Sequence, residues 1–216
     1  LLALIFAYAP AVMAQAALPE LLVMVYGDRL TMNTNLQPGQ SFSAQLEKKL
    51  RTAGFDVKVR HVGEPELTSV RAVEKLPSLI GKAPDLFILQ IGETDMRRNL
   101  NAQAINENLQ NIISVLQEKN IYVIVMGAKP PVANGKEYAN QIQAKYDQIK
   151  TSVSLYPYTL QGIVGNENLT VADGYHPNAR GVEFMVENIY RMVDAGLRWR
   201  LQVINQLRAK QSLQLR

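Results

Sequence analysis

Along the chain, short apolar runs alternate with longer stretches in which apolar positions recur three or four residues apart. The first kind occupies residues 21–26 (LLVMVY), 57–61, 86–91 (LFILQI) and 121–126 (IYVIVM), and the first, third and fourth are apolar almost throughout. A strand written that way has neither face in water, so these runs predict strands covered on both sides. The second kind occupies residues 41–53, 66–80, 103–119 and 136–152, each carrying several charges, and predicts amphipathic helices. Strands and helices in alternation are βαβ units. The expected fold is α/β, a three-layer α/β/α sandwich with a central parallel sheet. Gly54 and Gly81 stand where helix C-caps belong. His176-Pro177-Asn178 opens a last helix running to about Asp194 or beyond, with Pro177 suited to its first turn.

The opening LLALIFAYAPAVMAQAAL has no charge and ends in small residues, with residues 12–14 or 14–16 fitting a signal-peptidase site. Residues 1–16 therefore predict an export signal and a periplasmic or secreted product. Pro10 and the short apolar run argue against a retained membrane span. The organisation expected is this leader, one domain over residues 20–195, and a C-terminal extension over 196–216.

Composition narrows the chemistry. Among 216 residues there is no cysteine, which removes disulfides, zinc-thiolate sites and cysteine nucleophiles, and only His61 and His176 are available as histidine bases. The net charge of +4 is unevenly placed, because after residue 194 there are five basic residues and no acid, leaving the rest at −1. Leu201, Ile204, Leu207 and Leu213 give that basic tail an imperfect helical stripe, which reads either as a membrane-surface contact through 197–216 or as a solvated helix extension. The near-neutral body and the absence of a recognised motif argue against nucleic acid. No Walker loop, dinucleotide fingerprint or metal-ligand cluster is present, so neither cofactor nor metal is expected.

In parallel sheets, ligands sit beyond the carboxyl ends of the strands. The loops there read Gly27-Asp28-Arg29-Leu30, Val62-Gly63-Glu64, Gly92-Glu93-Thr94-Asp95 and Gly127-Ala128-Lys129-Pro130, with Ala172-Asp173-Gly174-Tyr175-His176 before the last helix. Three-residue spacing at a helix start lets the Asp173 carboxylate lie against the His176 ring, fixing its tautomer and stabilising the imidazolium. The same segment also reads as a turn whose Asp and His only cap the helix.

Taken in order, Gly-Asp-Arg-Leu, Gly-Glu-Thr-Asp and Asp-Gly-Tyr-His-Pro-Asn resemble the blocks of the SGNH, or GDSL, hydrolases. The likeness is to bacterial arylesterases and the thioesterase I/lysophospholipase group. The segments GDRLTMNTNLQPGQSFSAQLEKKLRTAGFDVKV, KLPSLIGKAPDLFILQIG and GKEYANQIQAKYDQI extend it over residues 21–193. The resemblance implies a flavodoxin-like sandwich, ester or thioester hydrolysis, and a small acyl ester, thioester or fatty-acid-like anion as ligand. It assigns Asp173 and His176 as catalytic acid and base, Gly63 and position 94 as oxyanion donors, and position 29 as the nucleophile.

Two of those positions depart from the family. Arg29 stands where the serine belongs, and a guanidinium is always protonated and cannot attack a carbonyl. Thr94 replaces the asparagine and offers a shorter hydroxyl in place of an amide donor. Thr31 should face elsewhere in the following turn, and Ser41 and Ser43 fall in the first helix. Besides a single-codon sequence error, against which the concurrent change at position 94 argues, Arg29 is open to three readings. It can form an internal salt bridge with Asp28, Asp95 or Asp173, or an anion pocket with the amides near Gly63 and His176, or it can hold an acyl oxygen while His176 activates water. His61 reads as structural or exposed, and Tyr156-Pro157-Tyr158 as a turn and pocket wall.

Overall fold

The computed structural model describes residues 19–33, 35–81 and 83–214, so the leader assigned to residues 1–16 lies outside the described residues. Five strands, β1 (Leu21–Gly27), β2 (Val57–Gly63), β3 (Leu86–Gln90), β4 (Tyr122–Met126) and β5 (Ser154–Tyr156), form one parallel sheet in the order β2-β1-β3-β4-β5. The apolar pattern does not announce β5. It is three half-buried residues at the edge and so has no continuous apolar run. Seven helices follow in chain order: α1 (Arg29–Met32), α2 (Phe42–Thr52), α3 (Ser69–Leu79), α4 (Glu93–Arg97), α5 (Ala102–Glu118), α6 (Gly135–Ile149) and α7 (Ala179–Gln214).

Period-two alternation divides the strand residues between two cores. Met24, Tyr26, Phe87, Leu89, Val123 and Val125 pack with apolar residues of α3, α5 and α6. Val23, Val25, Leu86, Ile88, Ile124 and Met126 pack with those of α2 and α7. Both faces of the central strands are thus buried, which is why they read as unbroken apolar runs. β1 and β3 are neighbours, yet the chain leaves β1 toward α2 on one face and β3 toward α5 on the other. A crevice opens at the carboxyl ends of such a strand pair.

Two expected helix starts move by two or more residues, and the helix expected to run to residue 152 ends at Ile149. The helix predicted from residue 66 begins at Ser69, because the Thr68 hydroxyl caps it by accepting from the Arg71 amide and Asp95 accepts from the Ser69 amide. Glu66 is therefore a loop residue. The last helix begins at Ala179, with the Asn178 side chain accepting from the amides of Arg180 and Gly181.

The boundary drawn between residues 195 and 196 falls within one unbroken 36-residue helix. Past it, Leu197 is buried, Trp199 stacks on Tyr122 at 5.5 Å, Arg200 pairs with Asp85 at 2.8 Å, and Leu201 and Ile204 pack on the α2/α7 core. Only residues 205–214 are exposed throughout. No described helix is long and apolar enough to cross a membrane.

Candidate active site

The loop from Asn166 to Asn178 holds the first part of the site. Asp173 Oδ1 accepts from the Tyr175 and His176 amides, both at 2.9 Å, so the carboxylate closes its own turn. Its other oxygen, Oδ2, lies 2.5 Å from His176 Nδ1. The His176 carbonyl accepts from Val171, and Gly174, at φ +68°, makes the bend. At the far end of the loop, Gly181 passes so close to the Leu169 carbonyl that a Cβ would lie 2.0 Å from its oxygen. Partial desolvation works to raise the Asp173 carboxyl, but the His176 ring and the two amides outweigh it and hold the group at about 2. Asp173 is thus an anion fixed against Nδ1, which leaves Nε2 as the nitrogen that faces away from the pair.

The second part is the end of β1. Asp28 caps α1 by accepting from the Leu30 amide at 3.0 Å, and it is fully buried. Burial pushes its carboxyl up to about 8, the Leu30 bond offsetting only part of the effect. Arg29, the first residue of α1, pairs with Glu66, and its Nε lies 4.0 Å from Glu93 Oε2. Arg97 and Arg98 also reach Glu66, at 2.5 and 2.8 Å, and Arg97 Nε lies 3.6 Å from Glu93 Oε1. The Arg29 side chain thus bridges the loop after β2, which follows Gly63, and the helix that carries Thr94.

The acids expected beside Arg29 were Asp28, Asp95 and Asp173, and its ion-pair partners are instead Glu66 and Glu93. Each expected acid is already held by donors of its own. Asp28 takes the Leu30 amide, Asp95 takes the amide and hydroxyl of Ser69, and Asp173 takes His176 and two amides. The i,i+4 pairing of Glu93 with Arg97 on α4 was the one sequence signal for this cluster.

The remaining positions fall as follows. Gly63 ends β2 opposite Gly27, where a Cβ would sit 2.0 Å from the Gly27 carbonyl oxygen, so packing against β1 alone requires glycine there. Thr94 is fully buried and its hydroxyl has no partner. Thr31 does face away from the crevice, its hydroxyl 3.0 Å from His61 Nε2 and 3.5 Å from Gln90 Oε1. Burial drives the His61 ring down to about 4, so it is neutral near pH 7 and holds a structural position. Ser41 caps α2. Tyr175 stands edge-on to His176 at 5.2 Å. Its hydroxyl is raised by burial first and then by Glu93, Tyr158 and Asp28, with Arg29 opposing.

A sequence model of the GDSL-like Lipase/Acylhydrolase family matches residues 25–184, which includes the β1 corner, the α4 helix and the Asp173–His176 loop. The chain belongs to this family. Esterase TesA of Pseudomonas aeruginosa is 26% identical over 179 residues, covering 82% of this chain and 88% of that protein. An arylesterase of Vibrio mimicus is 26% identical over 168 residues, covering 76% and 84% respectively. Among solved structures, TesA superposes with a TM-score of 0.76 at 24% identity, covering 81% of this chain and 99% of that one, and shares the fold. AlinE4, an SGNH-hydrolase family esterase, gives 0.68 at 27% identity, with 83% and 97% covered. The SGNH fold expected from the motif order is the fold found.

Proposed function

We propose that this member of the GDSL-like family keeps the acid–base pair of an acyl-ester or thioester hydrolase but has lost the serine-dependent acyl-enzyme route. The observation that carries this is Arg29. It occupies the nucleophile position, has no lone pair to offer a carbonyl, and is tied into ion pairs with Glu66 and Glu93. Buried Thr94, with a hydroxyl aimed at no partner, supports the same reading, since an oxyanion donor must reach the developing charge. The test is hydrolysis of p-nitrophenyl acetate and butyrate by the chain from Gln15 onward, beside Arg29→Ser and Arg29→Ser/His176→Ala. Turnover gained by Arg29→Ser and removed by the second change is the expected result. Equal rates in all three would overturn it.

A second reading is favoured by the intact pair at 2.5 Å. His176 Nε2 takes a proton from water as the water oxygen adds to the acyl carbon, and Arg29 steadies the acyl oxygen. It predicts slow turnover by the unaltered chain that His176→Ala abolishes. Export on residues 1–16 and contact of the tail with an anionic membrane surface complete the proposal. Since residues 197–204 include docked side chains, the membrane contact narrows to residues 205–214. Cosedimentation with phosphatidylglycerol vesicles, lost on truncation after Ile204, is its test.

A further inference from the structure

Three guanidinium groups meet at one carboxylate beside the β1 corner. Arg29 comes from the start of α1, just past β1, Arg97 and Arg98 from the end of α4, and all three reach Glu66 in the loop between β2 and α3. Glu93 is the only other carboxylate paired with them among the described residues. It lies almost wholly buried at 3.6 Å from Arg97 and 4.0 Å from Arg29. Asp28 adds no charge near pH 7, because burial keeps it protonated up to about 8. Three positive charges are thus set against two negative ones beyond the carboxyl end of β1, the side of the sheet on which this fold class binds its ligands.

The two glutamates differ in what holds them. Glu93 sits in the first turn of α4 and is buried. The Glu66 side chain is 44% exposed, and its ion-pair partners among the described residues are the three arginines. The loop around it is pinned without its help. Glu64 pairs with Arg71 at 3.2 Å and Lys75 at 2.6 Å, and Leu67 is fully buried. Glu66 can therefore rotate into solvent about its side-chain bonds while the backbone stays in place. Arg29 also keeps a buried Nε–H with no hydrogen-bond acceptor, a donor that Glu66 leaves unused.

We propose that Arg29, Arg97 and Arg98 form a binding site for a carboxylate ligand, and that Glu66 is a tethered carboxylate occupying it in the ligand's absence. An incoming carboxylate exchanges charge-assisted hydrogen bonds for those of Glu66, so specificity rests on planar, bidentate recognition by guanidinium groups. Tethering gives Glu66 a high effective concentration, commonly about millimolar, and sets the level that a free carboxylate must match. The inference deepens the reading of a closed nucleophile site. The residue that closes the ester route supplies one third of the anion site.

The experiment is calorimetric titration of sodium butyrate, at ionic strength held constant with sodium chloride, into the chain from Gln15 onward. The variants are Glu66→Gln and Glu66→Gln/Arg97→Gln/Arg98→Gln. The expected result is an affinity at least about tenfold tighter in Glu66→Gln than in the unaltered chain, and lost in the triple variant. Equal affinity in Glu66→Gln and the triple variant, or no heat beyond the chloride control in either, would overturn the site. Should Glu66→Gln fail to fold, the unaltered chain is read by the arginine Nε–H resonances in butyrate. Shifts at Arg29, Arg97 and Arg98 support exchange with Glu66, and unmoved resonances refute it. Butyrate has no ester to cleave, so a flat titration overturns the carboxylate site alone, and ester turnover independent of position 29 overturns the proposed function alone.

Discussion

Asp173 and His176 lie three residues apart on one turn, and nearly every contact that orients them comes from the loop between Asn166 and Asn178. Arg29, by contrast, takes its partners from 37 and 64 positions further along the chain. The first corner is half-exposed and closes on itself. The second has Asp28, Glu93 and Thr94 buried beneath four partly exposed charged side chains, and its charges come from three separate segments, the start of α1, the loop between β2 and α3, and α4. A substitution at the second corner therefore recruits whichever charges the tertiary fold has placed nearby, while the first corner is untouched by it. That contrast is why the contacts between Asp173 and His176 do not depend on Arg29.

The strongest way to break the comparison is to restore the nucleophile. If the Asp173–His176 corner is intact, Arg29→Ser should raise p-nitrophenyl butyrate turnover on the order of 10³-fold, given a nucleophile worth about 10⁶ and a remaining oxyanion deficit. Asp173→Asn in that background should return the rate to the starting level, since the ring then loses the anion that fixes its tautomer. A smaller effect isolates Thr94. Thr94→Asn added to Arg29→Ser should gain about 10²-fold more in kcat if the amide reaches the acyl oxygen, and an unchanged rate would show that position 94 is only packing.

Stability sharpens the same contrast. Asp28 has a folded pKa of about 8, far above the ordinary carboxylate value, so between about pH 4 and 8 the folded chain binds the proton more tightly than the unfolded one. Its contribution to stability is greatest in acid and falls as pH rises through that window. His61 acts oppositely. Its folded pKa of about 4 lies below the usual 6.5, so its contribution is complete above about pH 6.5 and is lost as pH falls toward 4. The window in which Asp28 acts without His61 is pH 6.5–8. Melting temperatures there should decline with pH in the unaltered chain and flatten in Asp28→Asn, whose amide oxygen keeps the Leu30 cap. The smallest effect expected is from Asp28→Ala, which loses the cap and should cost about 1–2 kcal/mol in urea unfolding relative to Asp28→Asn.

The central strands and the Asp173–His176 pair were legible in the sequence because each is written over a few consecutive residues. Buried strands make apolar runs, and a turn makes a three-residue spacing. β5 was not legible, since a three-residue edge strand needs only its neighbour's hydrogen bonds and no pattern of its own. The start of α3 was misplaced by three residues because capping by Thr68 and by remote Asp95 settles it, and that shift left Glu66 in a loop within reach of Arg29. The end of the domain was placed at residue 195 by a change in charge. The helix continues because Gly196 and Leu197 present a small surface and a buried side chain to β3 and β4.

The sequence by itself determined the sandwich, the order of the motif blocks and the presence of an arginine at position 29, because backbone periodicity and side-chain chemistry are properties of neighbouring residues. Only the tertiary structure decided which acids meet Arg29, that Thr94 is fully buried, and that the basic tail docks as far as Ile204. Those outcomes depend on distances between segments far apart in the chain. Charges and donors already satisfied within their own turns are unavailable to newcomers, so Arg29 pairs with the glutamates that the fold leaves within reach.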